Sequence, residues 1–242
     1  MKICFTTALF GNLVNDRPAR SFKKNSNYDY FMFSDQDQNA FDTPWDVFNI
    51  NDIKEIKNIS CPIRKSRYPK FMGFELIKSL IGSYDLIYYC DAHYAPRSDL
   101  DWASISKKIV NSEFSFAQEF HPNKDVRAKG IREEMKHIIA SKRDTRESIE
   151  KTLLFFMNKF PHVNLNDCRY YANYIFGYSP KDEVKSALRE FWSIYSKEDI
   201  SYRDQPLWNL LLNKNKLTPC CIGGISNKFI SSGVYGNHNY TR

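Results

Sequence analysis

Residues 84 to 94 read YDLIYYCDAHY, and the five from Leu86 to Cys90 leave no polar side chain to meet solvent. A strand with one wet face alternates apolar and polar side chains, whereas a strand covered on both faces does not. This run therefore belongs near the centre of a sheet with helices packed on each side. The rest of the chain must supply more strands and enough amphipathic helix to cover them.

Short β-rich runs at 2–7 (KICFTT), 28–35 (YDYFMFSD) and 45–50 (WDVFNI) are separated by polar, turn-forming segments. A helix is expected from about Lys65 to Ile81, with Phe71, Leu76, Ile77 and Leu80 as its apolar stripe and Gly82 as its stop. Asp99 is positioned to cap a helix reaching about Val110, and 114–118 reads as a strand. The charged segment 125–160 has helical periodicity and reads as two helices broken near Arg143 to Thr145. Strand character returns at 170–178, followed by a helix with Ser179 as N-cap, Pro180 at N1 and Asp182 at N3. The last 30 residues, with Gly223, Gly224, Gly233 and Gly236, read as irregular. The class expected is α/β, one domain over 1–242 with a mixed, mostly parallel central sheet flanked by helices; at 42% hydrophobic content such a chain can bury a core of that size.

No stretch approaches the ~18 apolar residues of a membrane span, and MKICFTTALFGN is too short and poorly flanked for a secretory leader. The expectation is a soluble, unprocessed, cytoplasmic chain. Six cysteines without CxxC spacing suit a reducing compartment, and the adjacent Cys220 and Cys221 would point to opposite faces of a strand. The net charge of +7 favours anionic partners. It admits a basic nucleic-acid-binding protein or metal-dependent nuclease, but the basic residues are dispersed and no nucleic-acid motif is present. The P-loop, dinucleotide, zincin and nucleophile-elbow signatures are also missing.

In open α/β sheets ligands bind beyond the carboxyl ends of strands, which is where Asp91 falls. Asp91 and His93, two apart at a strand exit, can share a divalent cation that holds a diphosphate; the same spacing suits a solvated Asp and a loop His. Upstream, Arg64, Lys65, Arg67 and Lys70 can neutralise a nucleotide diphosphate or form a solvated basic face. Asp35, ending the second strand, can accept from a base or ribose or simply begin a turn. His121, Glu133 and Glu134 lie in one charged block, and Arg203, Asp204 and Gln205 precede an apolar helix that Asp204 can also cap. His238 reads as a third metal ligand or a tail residue, and His137 and His162 as surface residues.

Taken in order, CFTTALFGNLVNDRP, YDYFMFSD with WDVFNI, SRYPKFMGFELI, YDLIYYCDAHY, FHPNKDVRAKGIREE and ISYRDQPLWNLL resemble a known pattern over about residues 3–212. It is similar to the glycosyltransferase-like family that includes plant mucilage and pollen-turgor proteins, and to small GT-A glycosyltransferases of large algal viruses. The resemblance implies a GT-A fold in which a nucleotide-sugar, such as a UDP-sugar, gives its sugar to a glycan or glycoconjugate hydroxyl. The donor would lie on about 1–110 and the acceptor side on about 111–242. Thr6, Thr7, Ala8, Phe10 and Asp35 would line the nucleotide pocket, with Arg67 and Lys70 near the phosphates and Asp91 on a divalent cation. His121 and the Asp204–Gln205 block would face sugar and acceptor, Asp204 as first choice of base with Glu133 or Glu134 behind it. His93 stands where the second Asp of a D-x-D would be, which leans toward Mn²⁺ over Mg²⁺ and leaves open a metal-free site served by the Arg/Lys cluster. A catalytically idle member of the same fold is the remaining alternative.

Overall fold

The computed structural model describes residues 1–11, 17–166 and 169–233. Its centre is a six-stranded mixed sheet with helices on both sides. In chain order the strands are β1 (Ile3–Leu9), β2 (Asp29–Ser34), β3 (Asp46–Asn49), β4 (Leu86–Cys90), β5 (Tyr94–Pro96), β6 (Phe116–Phe120), β7 (Tyr171–Tyr178) and β8 (Phe229–Ser231). The helices are α1 (Pro62–Leu80), α2 (Trp102–Val110), α3 (Lys124–Lys129), α4 (Ile131–Ala140), α5 (Arg146–Lys159), α6 (Asp182–Tyr195) and α7 (Asp204–Lys214). The large sheet runs β3-β2-β1-β4-β7-β6, and β5 and β8 form a separate two-stranded sheet. β3, β2, β1 and β4 are parallel, and β7 is antiparallel to both of its neighbours, so five of the six strands point one way.

β4 is buried along its whole length, as its apolar run requires. Ile87 and Tyr89 enter one core, with α1, α6 and α7, while Leu86, Tyr88 and Cys90 enter the other, beneath Trp102 and Phe229. Opposite Tyr88 on β7 stands Gly177. A Cβ there would sit 2.6 Å from Cδ1 and Cε1 of a Tyr88 ring that is fully buried and tied through its hydroxyl to Ser106 at 2.9 Å. Gly177→Ala is therefore expected to lower stability by about 1–3 kcal/mol through overpacking, measured by urea unfolding. A change within the error of the measurement would mean the ring has room to move.

Several helix starts differ from the sequence expectation. α1 begins at Pro62, a residue preorganised for N1, and Gly82 follows its end at φ +138°. Asp101, not Asp99, caps α2 by accepting from the Ser104 N–H at 3.0 Å, because Asp99 is engaged by Arg97. The segment 125–160 holds three helices, since Gly130 at φ +73° separates α3 from α4 before the expected break. Ser179 caps nothing: its N–H goes to the Ser115 carbonyl, and α6 opens at Asp182 behind Lys181. The terminal segment is less irregular than expected, because Phe229–Ser231 pairs with Tyr94–Pro96. Among the described residues no helix is long and apolar enough to cross a membrane.

Candidate functional site

β1, β4 and β6 all deliver their carboxyl ends to one edge of the sheet, where β7, running the other way, begins. Leu9 and Phe10, Asp91, and His121 thus arrive together with Asn173 and Tyr174. The turn at Asp91 is pinned by its N–H donating to the Tyr174 carbonyl at 2.8 Å. Over this edge lie the first half of α1, the start of α4 and the start of α7, and between them is a cavity of about 540 Å³. That volume is typical of small-ligand sites.

At the centre of its wall, Asp204 at the start of α7 meets Arg67 Nε at 3.1 Å and Lys70 Nζ at 2.8 Å. Lys70 and Asp204 are 3% and 6% exposed, and Lys70 Nζ is also 3.6 Å from Oδ1 of the more open Asp91. Asn173 Nδ2 donates to Asp204 Oδ2 at 2.9 Å and is itself fixed by Gln118, which accepts from the Trp208 indole. Burial works against the charge on Asp204, but Arg67, Lys70 and Arg203 more than offset it and hold the carboxyl well below the usual carboxylate range. Such a group stays ionised and accepts a proton poorly.

Glu134, on α4, is buried in a different setting. Burial pushes its carboxyl up to about 7 even though Arg203 and Arg143 pull the other way. Gln205 Nε2 donates to its Oε1 at 3.2 Å, and His121 Nε2 lies 3.7 Å from its Oε2. His121 Nδ1 accepts the Asn123 N–H at 3.3 Å, so the neutral ring carries its proton on Nε2, toward Glu134. Burial also lowers the His121 pKa, which favours that neutral form. One cavity therefore contains two acids whose environments drive their proton affinities apart, a pattern that assigns different tasks to each.

No family model matches the chain, and no curated protein matches it. Among solved structures, the apo form of WbbM, a bifunctional glycosyltransferase, is similar with a TM-score of 0.48 and 12% identity, over 88% of this chain. The match spans 38% of that protein's chain.

Of the residues singled out in the sequence, Phe10, Arg67, Lys70, Asp91, His93, His121, Glu134, Asp204 and Gln205 line the cavity. Others are placed elsewhere, for clear reasons. Thr6, Thr7 and Ala8 are buried within β1, where the Thr6 hydroxyl donates to the Tyr88 carbonyl. Asp35 lies off the cavity and accepts the Gly11 N–H with both oxygens at 3.1 and 3.0 Å. Arg64 clamps the α6–α7 connection through the carbonyls of Tyr195 and Ile200. Glu133 turns to Lys136 on the surface of α4. His238 lies outside the described residues. Asp204 is not an N-cap: Arg203 occupies that position and Asp204 is the first helical residue.

Asp91 and His93 share the cavity wall, yet among the described residues no three His, Cys, Asp or Glu side chains gather into a metal-binding group. Two donors do not make a divalent-metal shell unaided. The sequence reading missed Asn173 and Arg143 as cavity residues and named Arg203, which also lines the cavity, without giving it a role. Asn173 had a signal, being the one amide in the strand YYANYIFGY.

Proposed function

We propose that this chain is a glycosyltransferase that moves a sugar from a nucleotide-diphosphate sugar, such as a UDP-sugar, to a hydroxyl of a glycan or glycoconjugate. The observation that supports it most is the pairing, in one cationic cavity at the carboxyl edge of the sheet, of a fixed carboxylate with an acid near neutrality. The ordered sequence blocks point the same way. In the transfer, Glu134 accepts the acceptor's proton as the acceptor oxygen bonds to the anomeric carbon. The bond from that carbon to the diphosphate oxygen breaks, and its electron pair leaves with the nucleoside diphosphate. Asp204 positions Arg67 and Lys70 so that fixed positive charge faces the leaving group, the kind of preorganisation that lowers such barriers. A divalent cation, Mn²⁺ before Mg²⁺ because of the imidazole, would be held by Asp91 and His93 and would supply further positive charge to the leaving diphosphate.

A thermal-unfolding screen of nucleotide-sugars with and without Mn²⁺ tests the reading. A donor at about one hundred times its Kd stabilises by about 2.7 kcal/mol, a midpoint rise of roughly 5–10 °C at this chain length. Asp91→Ala should remove any Mn²⁺ enhancement of that rise. If no nucleotide-sugar moves the midpoint, the proposal fails; a donor that binds with no transfer to any acceptor would mark a binding protein instead.

A further inference from the structure

Arg143 and Arg203 come from separate connections, one between α4 and α5 and the other just before α7, and both line the cavity. The two connections are fastened together. The Tyr202 hydroxyl donates to the Arg143 carbonyl, and Ser201 Oγ donates to Asp144 Oδ2 at 2.5 Å. Asp144 is held in turn by the Thr145 N–H at 2.7 Å and by Ser148 Oγ at 3.1 Å. These bonds give the two arginines a common, rigid base.

The ion pairs of the cavity join Arg67 and Lys70 to Asp204 and Lys70 to Asp91; among the described residues neither Arg143 nor Arg203 enters one. Arg203 Nε is buried and, among the described residues, has no hydrogen-bond partner. Arg203 acts on Glu134 and Asp204 only from beyond ion-pair distance, so its desolvated N–H is costly until an anion arrives, and its planar fork fits carboxylate or phosphate oxygens. The geometry points to an anion subsite formed by Arg143 and Arg203 beside Glu134, which receives a carboxylate or phosphate borne by the acceptor. This assignment rests on the proposed transfer reaction. The donor's phosphates are assigned to Arg67 and Lys70 beyond the carboxyl ends of β1 and β4, which bring Leu9, Phe10 and Asp91 to the cavity. The substrate class is then an acidic glycan or a phosphorylated glycoconjugate.

Calorimetric titration of inorganic phosphate into the chain saturated with UDP decides the matter. Phosphate is expected to bind the UDP-loaded chain, about tenfold more weakly in Arg143→Gln, with UDP affinity unchanged by the substitution. The Arg143 side chain is exposed, so this variant keeps the fold, which its unfolding midpoint verifies. Lys142→Gln removes the same charge from the same turn at a residue that does not line the cavity, and should leave phosphate binding intact. An equal loss in Lys142→Gln, no loss in Arg143→Gln, or failure of phosphate to bind would each overturn the subsite. Competition between UDP and phosphate, or weakened UDP binding in Arg143→Gln, would give the anion to the donor and overturn the acceptor assignment. If UDP itself does not bind, the transfer reading fails, while phosphate titration of the free chain still tests the arginine pair.

Discussion

Glu134→Gln is expected to slow sugar transfer by roughly 10²- to 10⁴-fold while leaving donor affinity unchanged. The substitution keeps an oxygen to accept from Gln205 and places its amide NH2 toward His121 Nε2, so the longer 3.7 Å contact is lost along with the ability to take a proton, and an unchanged donor affinity verifies that the rest of the site is intact. The wild-type pH profile follows from the same group. A base must be ionised, so kcat/KM should climb as pH rises through about 7, the value to which burial lifts this carboxyl, and level off above it. Stability should move the other way. Because the folded-state pKa is raised from 4.5 to about 7, the contribution of Glu134 to stability is complete below about pH 4.5 and is lost as pH rises through 7, amounting to about 3 kcal/mol. Glu134→Gln should erase that decline. Turnover within threefold of wild type, or an acid limb that persists in the variant, would take the base role from Glu134.

That prediction moves the base from the residue first favoured in the sequence, and the reason shows what a sequence conveys. Leu86 to Cys90 demanded two-sided burial because five consecutive apolar residues admit nothing else, and Asp91, the carboxylate that ends that run, lies on the edge where the cavity opens. The cationic turns of α1 were visible as composition, but not their division of labour. Arg67 and Lys70 point to Asp204, some 130 residues away in the chain, while Arg64 serves main-chain carbonyls. Which acid is neutralised and which is left nearly protonated depends on those long-range pairings, and spacing along the chain does not encode them. The same holds for caps: Asp99 and Ser179 are good capping residues by type, yet Arg97 engages the first, and the second lies two residues before Lys181, where α6 takes its N-cap. Arg143 and Arg203 became a pair only when Tyr202 and Ser201 joined their loops.

Asp204→Asn is expected to cost about 3–5 kcal/mol of stability, because it leaves two buried cations facing a neutral amide. At this length the loss lowers the unfolding midpoint by roughly 6–20 °C. Since the folded-state pKa of Asp204 is depressed, its stabilisation is present at every pH above the ordinary carboxylate range. The gap between wild type and variant should therefore hold steady from about pH 5 to 8 and close only in strong acid as the wild-type carboxyl is protonated. A second substitution separates charge balance from lost packing. Lys70→Gln alone exposes Asp204 to a poorer partner and should destabilise, whereas added to Asp204→Asn it removes a surplus buried cation and should restore part of the loss, a coupling that a double-mutant cycle reads directly. If Asp204 were instead a solvent-poised base, Asp204→Asn would abolish transfer with the midpoint within a degree of wild type. Such an outcome would show that Arg67 and Lys70 find their counter-charge elsewhere, and it would return the proton-accepting role to Asp204.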